Sequence, residues 1–225
     1  MKYFKELQEG VYDPNIFKAF FLAGGPGSGK SYVVGNTTAM FGMRIVNSDE
    51  VFEKMIKSAG MTMKMNTPLG KKQEPERDKL RATAKRVTLA RQKNYIEGRL
   101  GLIIDGTARD YDKLESEMRA LQQLGYENYM IFVNTSLDVA LQRNEERPRT
   151  LPEKIVVQSW KNVQSNIGRF SNLFKENFII VDNNDPNEPP HLEVFKRVQK
   201  LAKKKVTNGI AKAWIANELE MKRRS

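Results

Sequence analysis

The ten residues from Leu22 to Ser31, LAGGPGSGKS, decide how the rest of the chain is read. Gly24, Gly29, Lys30 and Ser31 satisfy the spacing GxxxxGK[ST]. Gly24, Gly25, Gly27, Ser28 and Gly29 form a loop whose backbone N–H groups can approach phosphate oxygens, and a helix starting near Lys30 adds its positive end. Lys30 would neutralise the β- and γ-phosphates, and Ser31 would be a ligand for Mg²⁺. The bland alternative is an ordinary glycine turn. The context argues against it, because the apolar run KAFFLA (18–23) precedes the loop and the helix-like KSYVVGNTTAMF (30–41) follows.

Outward from that loop, apolar strands alternate with helical patterns. MRIVNSD leads into EVFEKMIKSAG; the later strands are LGLIID (100–105), NYMIFVN (128–134) and NFIIVDN (177–183). Helices are expected over 76–98, 110–124, 136–147 and 152–166. Residues 61–75, MTMKMNTPLGKKQEP, read as a mobile connection or substrate-facing insertion. The order predicts an α/β fold: a parallel five-stranded sheet flanked by helices, with ligands at the carboxyl ends of the strands. The loops after Ala23, Asn47, Asp105 and Asn134 then share one edge.

The formal charge of +11 is unevenly spread. Residues 60–100 hold eleven Lys or Arg against four Asp or Glu, and 188–225 hold ten against four, so the remainder is slightly acidic. Such segregation suits a polyanionic partner, DNA more than RNA, with solvated helix faces as the plain alternative. The C-terminal HLEVFKRVQKLAKKKV is expected to dock through Val194, Val198 and Leu201 and to present Lys196, Arg197, Lys200, Lys203 and Lys204 outward. A last helix, 208–224, would anchor through Ile210, Trp214 and Leu219. The chain has no cysteine, no apolar run long enough for a membrane span and no signal-like start, which predicts a soluble, cytoplasmic protein. The expected organisation is a main domain over 1–187, with a basic helical insertion at 60–100 and a lid at 143–152, and a basic helical extension over 188–225.

Three further groups carry chemistry. Asp105 ends an apolar strand, where a carboxylate can reach the water shell of Mg²⁺ or orient a substrate; a strand-end turn is its alternative role. Asp49 follows the second strand and would face the γ-phosphate, accepting the proton of an attacking hydroxyl. Capping the helix that follows is the competing role for Asp49, one that Ser48 can also fill. Arg143 and Arg147, four apart before Pro148, can close over donor phosphates together with Arg149, against the alternative of surface ion pairs with Glu145 and Glu146. The single histidine, His191, lies beyond the sheet and makes a poor candidate base.

These motifs resemble the P-loop kinases grouped around phage polynucleotide kinase and zeta toxin. GGPGSGKS, VNSDE and RNEERPRTLP resemble the donor loop, base-bearing strand end and arginine lid of the polynucleotide kinases. LIIDGTARDYDKLESEMRALQQLGYENYMIFV is more similar to zeta toxins. The resemblance spans about 18–183 and implies a P-loop NTPase fold of the nucleoside-kinase kind, with ATP and Mg²⁺ as cofactors. It further implies Asp49 as general base, Arg143 and Arg147 on the donor phosphates, and Thr107 and Arg109 as substrate contacts. Asp105 stands where the zeta version has glutamate, and the basic 60–100 segment has no counterpart.

The combined expectation is a kinase moving a γ-phosphoryl group onto a nucleic-acid hydroxyl, at a 5′ end or on a hydroxymethylated base. Likeness to phage enzymes would place it in a host cytoplasm. One alternative is a zeta-toxin-like kinase of a small acceptor such as a nucleotide-sugar or nucleoside. The other is a nucleic-acid-binding ATPase, disfavoured because Gly106, not a carboxylate, follows Asp105.

Overall fold

In the computed structural model, KAFFLA is strand β1 (Lys18–Ala23), and it lies at the centre of a five-stranded sheet. The structure describes residues 10–37, 42–65, 67–106, 108–147, 149–185 and 191–224. The other strands are β2 (Arg44–Val46), β3 (Leu102–Asp105), β4 (Glu127–Asn134) and β5 (Phe178–Asp182), in the order β2-β3-β1-β4-β5. Every pairing is parallel. All six residues of β1 are buried, as a central parallel strand covered on both faces requires.

Side-chain alternation assigns the two faces. Ala19, Phe21 and Ala23 join Leu102, Ile104, Met130 and Phe132 in one core, under α5 (Tyr111–Gln123), α7 (Glu153–Ser165) and α8 (Ile167–Phe174). Phe20 and Leu22 join Ile103, Tyr129, Ile131 and Val181 in the other, under α1 (Lys30–Thr37) and α9 (His191–Ala202). α6 (Leu137–Glu146) follows β4. Phe20 and Phe21 have almost no exposure, so truncating either to alanine should destabilise the fold by about 3–5 kcal/mol.

The structure amends several sequence expectations. α7 ends at Asn166 as expected, but a further helix, α8, follows it and was not expected. The described residues of 61–73 pack on the fold: Met61, Met63 and Met65 join the cluster of Phe52, Ile56 and Ala84, and Thr67 caps the short helix α3 (Pro68–Lys72) by accepting from Gly70 N at 3.1 Å. This fastens the segment to α2 (Ser48–Ser58) and to α4 (Glu74–Glu97), a helix about 36 Å long. The α2 cap is neither Ser48 nor Asp49. Asn47 Oδ1 accepts from the N–H groups of Asp49 and Glu50 at 2.7 and 3.3 Å, which puts Asp49 in the first helical turn with its side chain uncommitted to capping.

At the C-terminus, Val194 and Val198 of α9 are buried as expected, Ala202 joins them, and Leu201 packs beside them, partly buried. On α10 (Gly209–Arg224), Ile210 is exposed; the anchors are Ala211 and Trp214, whose ring meets Phe17 edge-on at 5.5 Å. The linker between these helices is tied to β4, because Glu127 Oε1 accepts from the N–H and Oγ1 of Thr207 at 2.7 and 2.8 Å. The other carboxylate oxygen of Glu127 takes the buried ammonium of Lys18 and the hydroxyl of Tyr129. Among the described residues no helix is long and apolar enough to cross a membrane.

Candidate active site

The glycine loop leaves β1 at the carboxyl edge of the sheet and closes into α1. Its glycines are required by space as well as by conformation. Gly27 has φ +79°, and a Cβ there would lie 2.2 Å from the carbonyl oxygen of Ala140 on α6; Gly29 has φ +86°, and a Cβ would lie 2.1 Å from Asn183 Nδ2. The loop is pinned from behind. Ser28 O accepts from Asn183 Nδ2 at 2.8 Å and from Thr135 Oγ1 at 3.2 Å, while Trp160 Nε1 donates to Thr135 O at 2.7 Å. Across a trans peptide the carbonyl and the next N–H point oppositely, so fixing Ser28 O aims Gly29 N–H away from Asn183 and Thr135.

Lys30 folds back over this loop, its Nζ donating to Gly24 O at 2.6 Å and Gly25 O at 3.2 Å. Burial lowers its pKa, opposed by the nearby Asp105 and Asp49 carboxylates, with Arg147 adding to the lowering. A half-buried ammonium held only by neutral carbonyls fits a polyphosphate. Ser31, just inside α1, is exposed.

Asp105 closes β3 and accepts from Asn47 Nδ2 at 2.6 Å. Burial raises its pKa; Lys30 and Arg147 pull the other way and Asp49 adds to the rise. Asp49 differs. Burial pushes its carboxyl up, but Arg149, Arg81 and Lys30 together hold it below the usual carboxylate range. Arg149 Nη1 donates to Asp49 Oδ1 at 3.2 Å, and Arg81 Nη1 stands 3.6 Å from the same oxygen. Both guanidinium groups thus sit on Oδ1.

Of the arginines expected in a lid, Arg143 reaches from α6 to Asn183 O at 2.7 Å, beside Gly29. Arg147, at the end of α6, lies within electrostatic reach of Lys30 and Asp105. Arg149, expected with the donor, is buried against Asp49 and Glu53, with Nε 3.4 Å from Glu53 Oε1. Of the expected substrate contacts, Thr107 lies outside the described residues, and Arg109 is exposed, its carbonyl held by Asn166 Nδ2 at 3.3 Å. The structure therefore gathers Lys30, Asp49, Asp105 and Arg147, brings Arg143 and Arg149 to their rim, and does not bring Arg109 to them.

Sequence reasoning missed Asn47, Arg81, Thr135, Trp160 and Asn183. Asn47 carried a readable signal, a good capping residue directly before a helix. Arg81 carried none, because its place depends on α4 packing against α2. A hollow of about 490 Å³ lies elsewhere, at the opposite edge of the sheet, lined by Ile16, Val206, Ile215 and Lys203–Lys205. It shares no residue with the groups above.

Solved structures with this fold include a candidate kinase of Chloroflexus aurantiacus, 14% identical, covering 83% of this chain and 96% of that one at a TM-score of 0.53. A gluconokinase from Sinorhizobium meliloti 1021 is 16% identical, covering 84% and 95% at 0.50. No curated protein matches the sequence. The profile of the Zeta toxin family matches residues 8–188, which takes in the glycine loop, the sheet and every residue of the cluster. The chain belongs to the zeta toxin family and is a P-loop kinase.

Proposed function

We propose that this kinase transfers the γ-phosphoryl group of ATP to a hydroxyl of a small molecule, a nucleotide-sugar or nucleoside, rather than to nucleic acid. Membership of the zeta toxin family supports the small acceptor over the nucleic-acid hydroxyl expected from charge and from likeness to the phage polynucleotide kinases. The observation that carries the mechanism is Asp49: its Oδ1 is clamped by two arginines while it remains within electrostatic reach of Lys30.

Lys30 and the loop amides of Gly24, Gly25, Gly27, Ser28 and Gly29 bind the donor phosphates. Asp49 takes the acceptor proton on Oδ2 as the acceptor oxygen bonds to the γ-phosphorus; the bond to the β–γ bridging oxygen breaks, and ADP leaves with that electron pair. Arg143 and Arg147 neutralise charge on the transferred group, and Arg149 orients the base. Ser31 and Asp105 would hold Mg²⁺, which neutralises phosphate oxygens when bound. Likeness to the zeta toxins would make Thr107 and Arg109 acceptor contacts, although Arg109 lies outside the cluster and Thr107 outside the described residues. The domain is taken as 1–187, with 188–225 docked upon it.

The test is label transfer from γ-labelled ATP to nucleotide-sugars, nucleosides and 5′-hydroxyl oligonucleotides at two salt concentrations. Label on a small molecule, with little salt dependence, is expected. Label on oligonucleotides alone, falling steeply with salt, would return the acceptor to nucleic acid. Asp49→Asn should lower transfer by roughly 10²–10⁴-fold while leaving nucleotide binding intact, and full turnover by that variant would remove Asp49 from the role.

A further inference from the structure

The two arginines on Asp49 are unequal. The Arg149 side chain is 7% exposed and divides itself between Asp49 and Glu53, so it has no route away that does not strand a buried cation. Arg81 is 37% exposed and stands farther off, at 3.6 Å. Its guanidinium also lies 4.2 Å from the centroid of the Phe52 ring, a face that retains a guanidinium whether or not the carboxylate is engaged. One turn earlier on α4, Arg77 is 6% exposed, and its Nη1 has no hydrogen-bond partner among the described residues.

We propose that Arg81 is an exchangeable partner of Asp49: an anionic group on the acceptor draws the Arg81 guanidinium off Oδ1, so the acceptor itself makes Oδ2 the stronger base. The inference rests on Asp49 being that base. Two consequences follow from the geometry. Of the two acceptors proposed above, the nucleotide-sugar is then favoured over the uncharged nucleoside, its phosphate settling on Arg81. Water, which brings no anion, meets an Oδ2 whose basicity two guanidinium groups on Oδ1 still lower, so ATP is spared from hydrolysis when acceptor is absent. Arg81 lies in the basic 60–100 segment, and on this account the segment serves acceptor selection and not only surface charge.

The experiment uses the full chain loaded with Mg²⁺ and a non-hydrolysable ATP analogue, titrated with methyl phosphate as the anionic probe and trimethyl phosphate as its uncharged counterpart. Wild type, Arg81→Gln and Arg86→Gln are compared, the last removing an equal charge from an exposed position of the same helix. Methyl phosphate should bind wild type and Arg86→Gln alike and bind Arg81→Gln about tenfold more weakly, with trimethyl phosphate binding none of them. Acceptor-free ATP hydrolysis should rise several-fold in Arg81→Gln alone. Equal methyl phosphate binding by wild type and Arg81→Gln overturns the proposal, and so does unchanged hydrolysis in that variant. Failure of the protein to load the nucleotide analogue would instead overturn the kinase reading of the site.

Discussion

Asn183 sits just past β5, far in sequence from the glycine loop, yet its side chain should govern how well that loop receives phosphate. Asn183→Ala removes the 2.8 Å donor to Ser28 O and leaves in place the backbone contacts of residue 183, with Asn134 O and Arg143. Ser28 O keeps Thr135 Oγ1 at 3.2 Å, so the loss should be that of one hydrogen bond, about 1 kcal/mol. Thr135→Val, the converse change, should cost about the same. The double variant is different in kind: Ser28 is almost fully buried, and its carbonyl would have neither donor nor water. An orphaned buried carbonyl costs about 1–3 kcal/mol beyond the separate losses, so the two substitutions should couple by at least about 1 kcal/mol.

The assay is a double-mutant cycle in urea without nucleotide, checked by melting temperature, where each kcal/mol should appear as roughly 2–4 °C in a chain of this size. Because Ser28 O sets the direction of Gly29 N–H, nucleotide affinity should fall in the same order, least in the single variants and most in the double. Stability losses that add to within about 0.3 kcal/mol would refute the reasoning, since they would mean that Ser28 O does not depend on these two donors.

Other outcomes are expected at four residues. Gly27→Ala places a methyl group 2.2 Å from Ala140 O at φ +79°, so the loop must move off α6; nucleotide binding should be lost while the fold persists, as read by titration and circular dichroism. Asp105 has a raised carboxyl pKa in the folded chain, so ionising it opposes folding: nucleotide-free stability should decline as pH rises from about 4 through that value. Asp105→Asn, with Lys30, Asp49 and Arg147 unchanged around it, should therefore melt higher than wild type near pH 7, and the gap should close on acidification. Asp49 has the opposite sign, its lowered value making its ion pairs a source of stability above about pH 4 that is lost at lower pH. Glu127→Gln leaves the buried Lys18 ammonium unpaired and should destabilise by roughly 3 kcal/mol, measured in urea.

The fold was legible because a parallel strand covered on both faces must be apolar along its length. KAFFLA, LIID and YMIFV therefore announced themselves, while the end of each run marked where polar residues emerge at the ligand edge. The end of α7 at Asn166 was legible, but α8 was hidden because its eight residues, Gly168 among them, give little more than two turns of helical periodicity. In the site, residues that touch a phosphate through local chain geometry, such as Gly27, Gly29 and Lys30, carry a spacing that can be read. Residues that act across the fold do not. Asn183 and Thr135 reach Ser28 only because β5 and β4 end level with the loop, and Arg81 meets Asp49 only because α4 lies against α2. The same distinction bears on the basic charge, which the sequence counts without locating. Arg81 and Lys203 contribute equally to +11, yet one lies 3.6 Å from the proposed base and the other lines a hollow at the far edge of the sheet. Net charge pointed to a polyanion; the placement of one arginine points to a single anionic group, and that is a requirement a small acceptor can meet.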